Sequence, residues 1–183
     1  WVDVAPGWLR GADTLFERLL TTIAWQERER PMYDQVLPEP RLSHWWGARG
    51  AASWPAGIGA IADALGSRYG TGFDALGANL YRDGSDSVAW HSDDEPDMGD
   101  PVVASISLGA ARDFLFRAVA PVPTLASALI PNRARVTLEH GSLLVMGRGA
   151  QAQYQHSLPK RARAGRRINL TFRAPADVTG RTR

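Results

Sequence analysis

From Phe73 onward the sequence is a succession of short apolar or alternating segments, each cut off by Gly, Pro or Asp. They lie near residues 77–82, 87–91, 102–108, 111–118, 133–138, 142–147, 153–158 and 167–173. These lengths suit strands, and the breakers between them leave little room for helices. Eight such strands in sequence predict two packed sheets in a jelly roll. Two helical patterns precede them. Thr14 and Glu17 have capping-box spacing, and Leu15, Phe16, Leu19, Leu20 and Ile23 form an apolar stripe, predicting a helix to about Glu27. Ile58, Ile61, Ala62 and Leu65 predict a second, stopped near Gly66. Residues 1–12 read as irregular around Pro6-Gly7. Residues 29–40, with three prolines, read as extended or loop, and 41–47 as a short strand carrying His44, Trp45 and Trp46. The stretch from Ala118 to Asn132, again with three prolines, reads as a surface loop. The expected class is α+β, mainly β: a jelly roll with N-terminal helices.

Composition narrows the function classes. With 183 residues and 44% hydrophobic content, one domain spanning 1–183 is expected, with a sizeable core. No apolar run reaches the length of a membrane span, so no membrane partner is expected. No basic-then-apolar leader is visible before the first helix; a cytoplasmic location is expected, which the lack of cysteine fits. The absence of cysteine excludes disulfides, zinc–thiolate sites and thiol nucleophiles. Net charge is +2, and Lys160 is the single lysine. Such arginine bias fits either a GC-rich genome or phosphate binding. The cluster Lys160-Arg161-Ala-Arg163-Ala-Gly-Arg166-Arg167 is a solvated loop or a phosphate-facing one.

Chemistry concentrates in two stretches. In His91-Ser-Asp93 the histidine and the aspartate are two apart, so on an extended backbone they share a face. A third candidate ligand, His156, lies in a later extended segment, Gln153 to Leu158. Two histidines and one carboxylate leave sites open on an octahedral ion, as in the facial triad of non-haem Fe(II) oxygenases. A His-x-Asp pair by itself more often marks a solvated turn. The tail Arg167-Ile-Asn-Leu-Thr-Phe-Arg173 reads as a strand with Ile168, Leu170 and Phe172 on one face. Its other face carries Arg167, Asn169, Thr171 and Arg173, which is either a wet surface or the wall of a pocket for a small dicarboxylate.

Taken in order, Asn79-Leu-Tyr81, His91-Ser-Asp-Asp-Glu95, His156 and Arg-Ile-Asn-Leu-Thr-Phe-Arg resemble the AlkB family of Fe(II)- and 2-oxoglutarate-dependent dioxygenases. The closest likeness is to its nucleic acid alkylation-repair branch, and it runs from about Pro40 to Arg173. The resemblance implies a double-stranded β-helix with helices packed on one sheet. It implies Fe(II), 2-oxoglutarate and dioxygen, with His91, Asp93 and His156 as metal ligands. It implies that Arg167, Asn169 and Tyr81 hold the distal carboxylate of 2-oxoglutarate, that Arg173 holds the carboxylate at the iron, and that Asn79 helps on the same wall. Thr171 and His140 are expected to be structural.

The implied reaction is oxidative demethylation of N-alkylated bases such as 1-methyladenine or 3-methylcytosine, with release of formaldehyde. The implied partner is methylated single- or double-stranded DNA, with RNA left open, and a monomer is expected. A target base must leave the stack to be reached. Trp45, Trp46 and Trp54 lie where the family builds its nucleotide-recognition lid, about residues 40–60, with His91 as the other side of a sandwich. Asp94, in preference to Glu95, is expected to face the cationic base; Arg161 and Arg163 are candidate phosphate contacts. The stretch after Gly47 is shorter than the family's hairpin. That departure motivates an alternative, a 2-oxoglutarate-dependent hydroxylase of a small molecule or a protein side chain.

Overall fold

The computed structural model describes residues 1–32, 34–48, 53–93, 100–120 and 132–174. In chain order its elements are β1 (Val2–Ala5), α1 (Ala12–Thr22), β2 (Gln26–Met32), β3 (Gln35–Ala48), α2 (Ile58–Tyr69), β4 (Ala75–Tyr81) and β5 (Val88–His91). Then come β6 (Val102–Gly109), β7 (Arg112–Ala118), β8 (Arg133–Leu138), β9 (Leu143–Met146), α3 (Ala150–Gln153), β10 (Tyr154–Leu158) and β11 (Arg167–Ala174). Every pair is antiparallel. The strands form a seven-stranded sheet, ordered β1-β9-β6-β11-β4-β3-β2, and a four-stranded sheet, ordered β5-β10-β7-β8. This is the expected double-stranded β-helix. No described helix is long and apolar enough to cross a membrane.

The alternation along β11 decides where everything sits. Ile168, Leu170 and Phe172 are fully buried against α1 and α2, whose Leu15, Leu19, Ile58 and Leu65 cover the outer face of the larger sheet. The opposite face of that sheet meets the smaller one. There Val103, Leu144 and Met146 pack with Phe114, Phe116, Leu138 and Leu158.

The N-terminal elements depart from expectation. Helix α1 begins at Ala12 behind the N-cap residue Gly11, which is left-handed at φ 71, and no side chain caps it. Thr14 therefore lies inside the helix, and its spacing to Glu17 is not used as a capping box. The helix stops at Thr22 because Ile23 turns extended (φ −79, ψ 131) and Glu27 is taken into β2. Helix α2 runs past Gly66 to Tyr69 and closes on Gly70 (φ 66), whose N–H donates to the Gly66 carbonyl at 2.8 Å. The first residues are not wholly irregular, since β1 pairs with β9.

The proline-bearing stretch is a long hairpin. Glu29 to Met32 pair with Pro38 to Gln35, while β3 meets β4 only from Leu42 onward. The outer half is thus a two-stranded ribbon with a free side, so Pro31, Pro38 and Pro40 forfeit no ladder bonds there. Positions 121–131 of the expected surface loop lie outside the described residues.

Candidate active site

Pairing of β10 with β5 sets His156 directly opposite His91, and the ladder shifts register immediately beyond. The two rings lie edge to face, their centroids 4.2 Å apart. Asp93 follows β5 and turns between them. Its Oδ1 is 3.9 Å from Nε2 of His91, and its Oδ2 is 3.5 Å from Nε2 of His156. One ligating atom from each of the three lies within 4.8 Å of the others. Among the described residues no other such cluster occurs. His44 is bonded to the Ala24 carbonyl, and His140 accepts the Gly109 N–H.

The surroundings aim these groups. Nδ1 of His91 is 2.9 Å from the Ala89 carbonyl. A carbonyl only accepts, so Nδ1 carries the proton and Nε2 keeps its lone pair for a metal. The Asp93 N–H donates to Oε1 of buried Gln151 at 2.9 Å, and Nη2 of Arg173 donates to Oδ1 of Asp93 at 2.9 Å. Burial alone would raise the Asp93 carboxyl. The Arg173 guanidinium beside it outweighs that and holds the group below its ordinary value. Burial pushes His156 down to about 4, against the pull of Asp93, so its ring is neutral at pH 7. Two imidazoles and one carboxylate converge there. Their lone pairs repel unless a cation lies between them, and the donor set suits Fe(II).

The floor of the cavity is the polar face of β11. Arg167 is 1% exposed. Its Nη2 donates to Ser107 Oγ at 2.8 Å and weakly to Asn169 Oδ1 at 3.3 Å, and its guanidinium lies 5.2 Å from the Tyr81 ring. Nε and Nη1 are buried and find no acceptor among the described residues. Burial, assisted by Arg112, pushes this guanidinium down to about 10. A carboxylate of a small dicarboxylate fits those two unmatched donors. Asn169 accepts from Ser105 Oγ at 2.5 Å and donates to Thr171 Oγ1 at 2.8 Å, so Thr171 braces the wall. Asn79 stands opposite Asn169 in register and accepts from Arg41 Nε at 3.1 Å. Arg41 is itself paired with Glu39.

Asn79, Tyr81, Ser105, Asn169, Thr171 and Arg173, with His91, Asp93 and His156, line one cavity of about 900 Å³ between the sheets; Arg167, in contact with Tyr81 and Asn169, does not itself line it. Trp45 forms part of its wall, with the Arg173 guanidinium 4.9 Å above its ring. Gly77 is required beneath it, since a Cβ there would come within 2.7 Å of the Trp45 ring. Trp46 points the other way, into the helix-side core and against His44. Trp54 is buried edge-on to Phe172. Neither of these two lines the cavity: alternation on β3 sends Trp46 to the opposite face, and Trp54 packs in the helix-side core. Arg161 does not line the cavity either: it is bound to Asp113 at 2.7 Å, while Lys160 does line it. Arg163 is exposed. Asp94 and Glu95 lie outside the described residues.

Four contributors escaped the sequence reading. Ser105 and Ser107 had a signal, since polar residues alternate within an otherwise apolar strand. Gln151 and Trp90 had none. The cavity rim also begins earlier than residue 40, because Arg28 and Leu37 of the β2–β3 hairpin take part in it.

The model of the 2OG-Fe(II) oxygenase superfamily matches residues 43–173. The chain is 37% identical to the rat Alpha-ketoglutarate-dependent dioxygenase alkB homolog 3 (Rattus norvegicus), over 94% of its own length and 63% of that protein's. It is 34% identical to the human (Homo sapiens) homolog 3, again over 94% of its length and 65% of the relative's. It is 41% identical to the Arabidopsis thaliana DNA oxidative demethylase ALKBH2, over 57% of the chain and 38% of that protein. The chain thus spans somewhat under two thirds of the homolog 3 proteins. The solved structure of OsALKBH1 superposes with a TM-score of 0.63 at 19% identity, covering 94% of this chain and 97% of that one, which supports the fold. With the His-Asp-His cluster and the arginine-floored cavity in place, the chain belongs to the 2OG-Fe(II) oxygenase superfamily and, within it, to the AlkB family.

Proposed function

We propose that this protein is an Fe(II)- and 2-oxoglutarate-dependent dioxygenase that demethylates N-alkylated bases in nucleic acid. One observation carries the chemistry. Three metal-ligating atoms lie within 4.8 Å of one another, beside a buried guanidinium with two unmatched donors. His91, Asp93 and His156 hold the iron; Arg167, with Tyr81 and Asn169 beside it, holds the distal carboxylate of 2-oxoglutarate, and Arg173 the end nearer the metal. Bound iron supplies oxidation by dioxygen: one oxygen atom enters succinate as carbon dioxide leaves, and the other hydroxylates the N-methyl carbon, which departs as formaldehyde.

The residues of the chain do the rest. The Ala89 carbonyl orients His91, Gln151 fixes the Asp93 backbone, and Arg173 keeps the Asp93 carboxylate charged. The name of one relative, a DNA oxidative demethylase, supports a nucleic acid substrate. So does the size of the cavity, about 900 Å³, which is large for the co-substrate alone. The hairpin β2–β3 supports it too, because Arg28 and Leu37 of that ribbon extend the cavity rim. Single-stranded DNA is the reading favoured here, acted on by a monomer. The test is incubation with a 3-methylcytosine or 1-methyladenine oligonucleotide, iron, 2-oxoglutarate and ascorbate. Formaldehyde and restored base are expected in equal amounts. Succinate formation without either product, on any methylated DNA or RNA, overturns the proposal.

A further inference from the structure

The outward face of the smaller sheet carries a charge pattern that the active site does not use. Along β8 the inward positions Ala134, Val136 and Leu138 pack into the core, so Arg133, Arg135 and Thr137 point to solvent. In the neighbouring strand β7, Arg117 stands directly opposite Arg133, and Leu115 opposite Arg135. Like charges directly opposite each other on neighbouring strands are destabilising. No carboxylate among the described residues offsets this pair. The one acid outward on these strands, Asp113, is taken by Arg161 at 2.7 Å and by the Thr137 hydroxyl at 2.8 Å. Four arginines against one aspartate stand on this face, while the whole chain has a net charge of only +2.

The arginine nearest the cavity is held in place. Nε and Nη2 of Arg117 both donate to Gln155 Oε1, at 2.9 and 2.6 Å, and its guanidinium lies 4.6 Å over the Trp90 ring. Trp90 belongs to β5, immediately precedes the ligand His91, and lines the cavity. Strand β5 is the edge of the smaller sheet, so the cavity rim and the basic face meet along it. Neighbouring strands lie ~5 Å apart and outward residues recur every ~7 Å along a strand. A row of fixed cations on that spacing, leading from an aromatic at the mouth, suits a chain of phosphates better than one small anion.

We propose that the backbone of a single-stranded nucleic acid runs from the cavity mouth over Trp90 and Arg117 onto Arg133 and Arg135. The proposal rests on the nucleic acid reading above and adds a second contact zone, away from the target base. Each phosphate contact to a single strand contributes about 0.7 to the slope of log affinity against log salt. Arg133→Ala/Arg135→Ala should therefore flatten that slope by roughly 1.4 for a long strand, and weaken binding roughly 10- to 30-fold at low salt.

The experiment compares single-stranded DNA carrying 3-methylcytosine as a trinucleotide and as a strand of about 20 nucleotides, longer than one binding site. Dissociation constants are measured across a salt series with Mn(II) and 2-oxoglutarate bound. Arg10→Ala, which removes an exposed cation elsewhere, is the control for bulk charge. The wild type should prefer the long strand, the double variant should lose most of that preference, and the control should keep it. An unchanged preference in the double variant, equal losses on both lengths, or the same loss in the control overturns the surface. A wild type that demethylates the trinucleotide yet shows no length preference overturns the surface and leaves the enzymatic reading standing. A wild type that demethylates neither strand overturns both.

Discussion

Arg167 holds its charge under conditions that oppose it. It is almost fully buried, the charged group that bears on it is another arginine, Arg112, and two of its nitrogens have no partner among the described residues. A buried, uncompensated charge costs several kcal/mol, and an apolar side chain of similar volume is often more stable. Arg167→Met should therefore raise the melting temperature of the ligand-free protein by at least about 2 °C, from ~1 kcal/mol or more gained in a domain of this size. The same change should weaken 2-oxoglutarate binding at least ~100-fold, since each hydrogen bond to a charged group contributes ~1.5–3 kcal/mol. Calorimetry with Mn(II) in place of iron reads both. A variant that melts lower and still binds 2-oxoglutarate sinks the assignment. Position 167 was legible because its strand alternates cleanly between apolar and polar residues. Arg112 was not. It is fully buried and donates to the carbonyls of Asp83, Asp86 and Pro159, yet nothing in its neighbours distinguishes it from a surface arginine.

At the scale of elements, the metal ligands depend on how β5 is launched from β4. The turn between them is tied by Asp86, which accepts the Arg82 N–H at 2.8 Å and its guanidinium at 2.8 and 2.9 Å. Burial pushes the Asp86 carboxyl up, but these bonds prevail and hold it below the ordinary 3.8. A carboxyl lowered on folding stabilises the protein above its unfolded value and loses that contribution as pH falls through the folded one. Asp86→Asn should therefore cost about 1–2 kcal/mol at pH 7, allowing for the half-exposed Arg82, and progressively less below pH 3.8. Urea midpoints at neutral and acid pH test this; a gap that widens on acidification refutes it. The strands themselves were visible in the sequence, because their alternation is local. The β2–β3 ribbon was obscured by its prolines, which normally argue against a strand, and the early end of α1 by an apolar stripe that continues through Ile23. Sheet order was hidden for a different reason. Strand β11, at the end of the described chain, inserts between β6 and β4, a pairing set by contacts far apart in sequence.

At the scale of the molecule, the site is where the two sheets are fastened by polar groups instead of apolar ones. His91 and His156 belong to the smaller sheet, Arg167 and Arg173 to the larger, and the Asp93–Arg173 ion pair at 2.9 Å crosses between them. On the proposed assignment, metal would bind chiefly to one layer and the dicarboxylate chiefly to the other. Each ligand alone should stabilise the layer it touches, while the two together join both layers. A ligand at about 100 times its dissociation constant adds ~2.7 kcal/mol. At ~2–4 °C per kcal/mol this is a rise of roughly 5–11 °C. Mn(II) and 2-oxoglutarate added together should exceed the sum of their separate shifts, because the metal also meets the co-substrate. Asp93→Asn removes the anionic ligand and the partner of Arg173, so it should abolish the excess and leave only the small shift from 2-oxoglutarate. Arg167→Met should keep the Mn(II) shift and lose the rest. Strictly additive shifts in the wild type, or an excess that survives Asp93→Asn, would mean that the two layers are fastened elsewhere and that the three ligands do not act as one site.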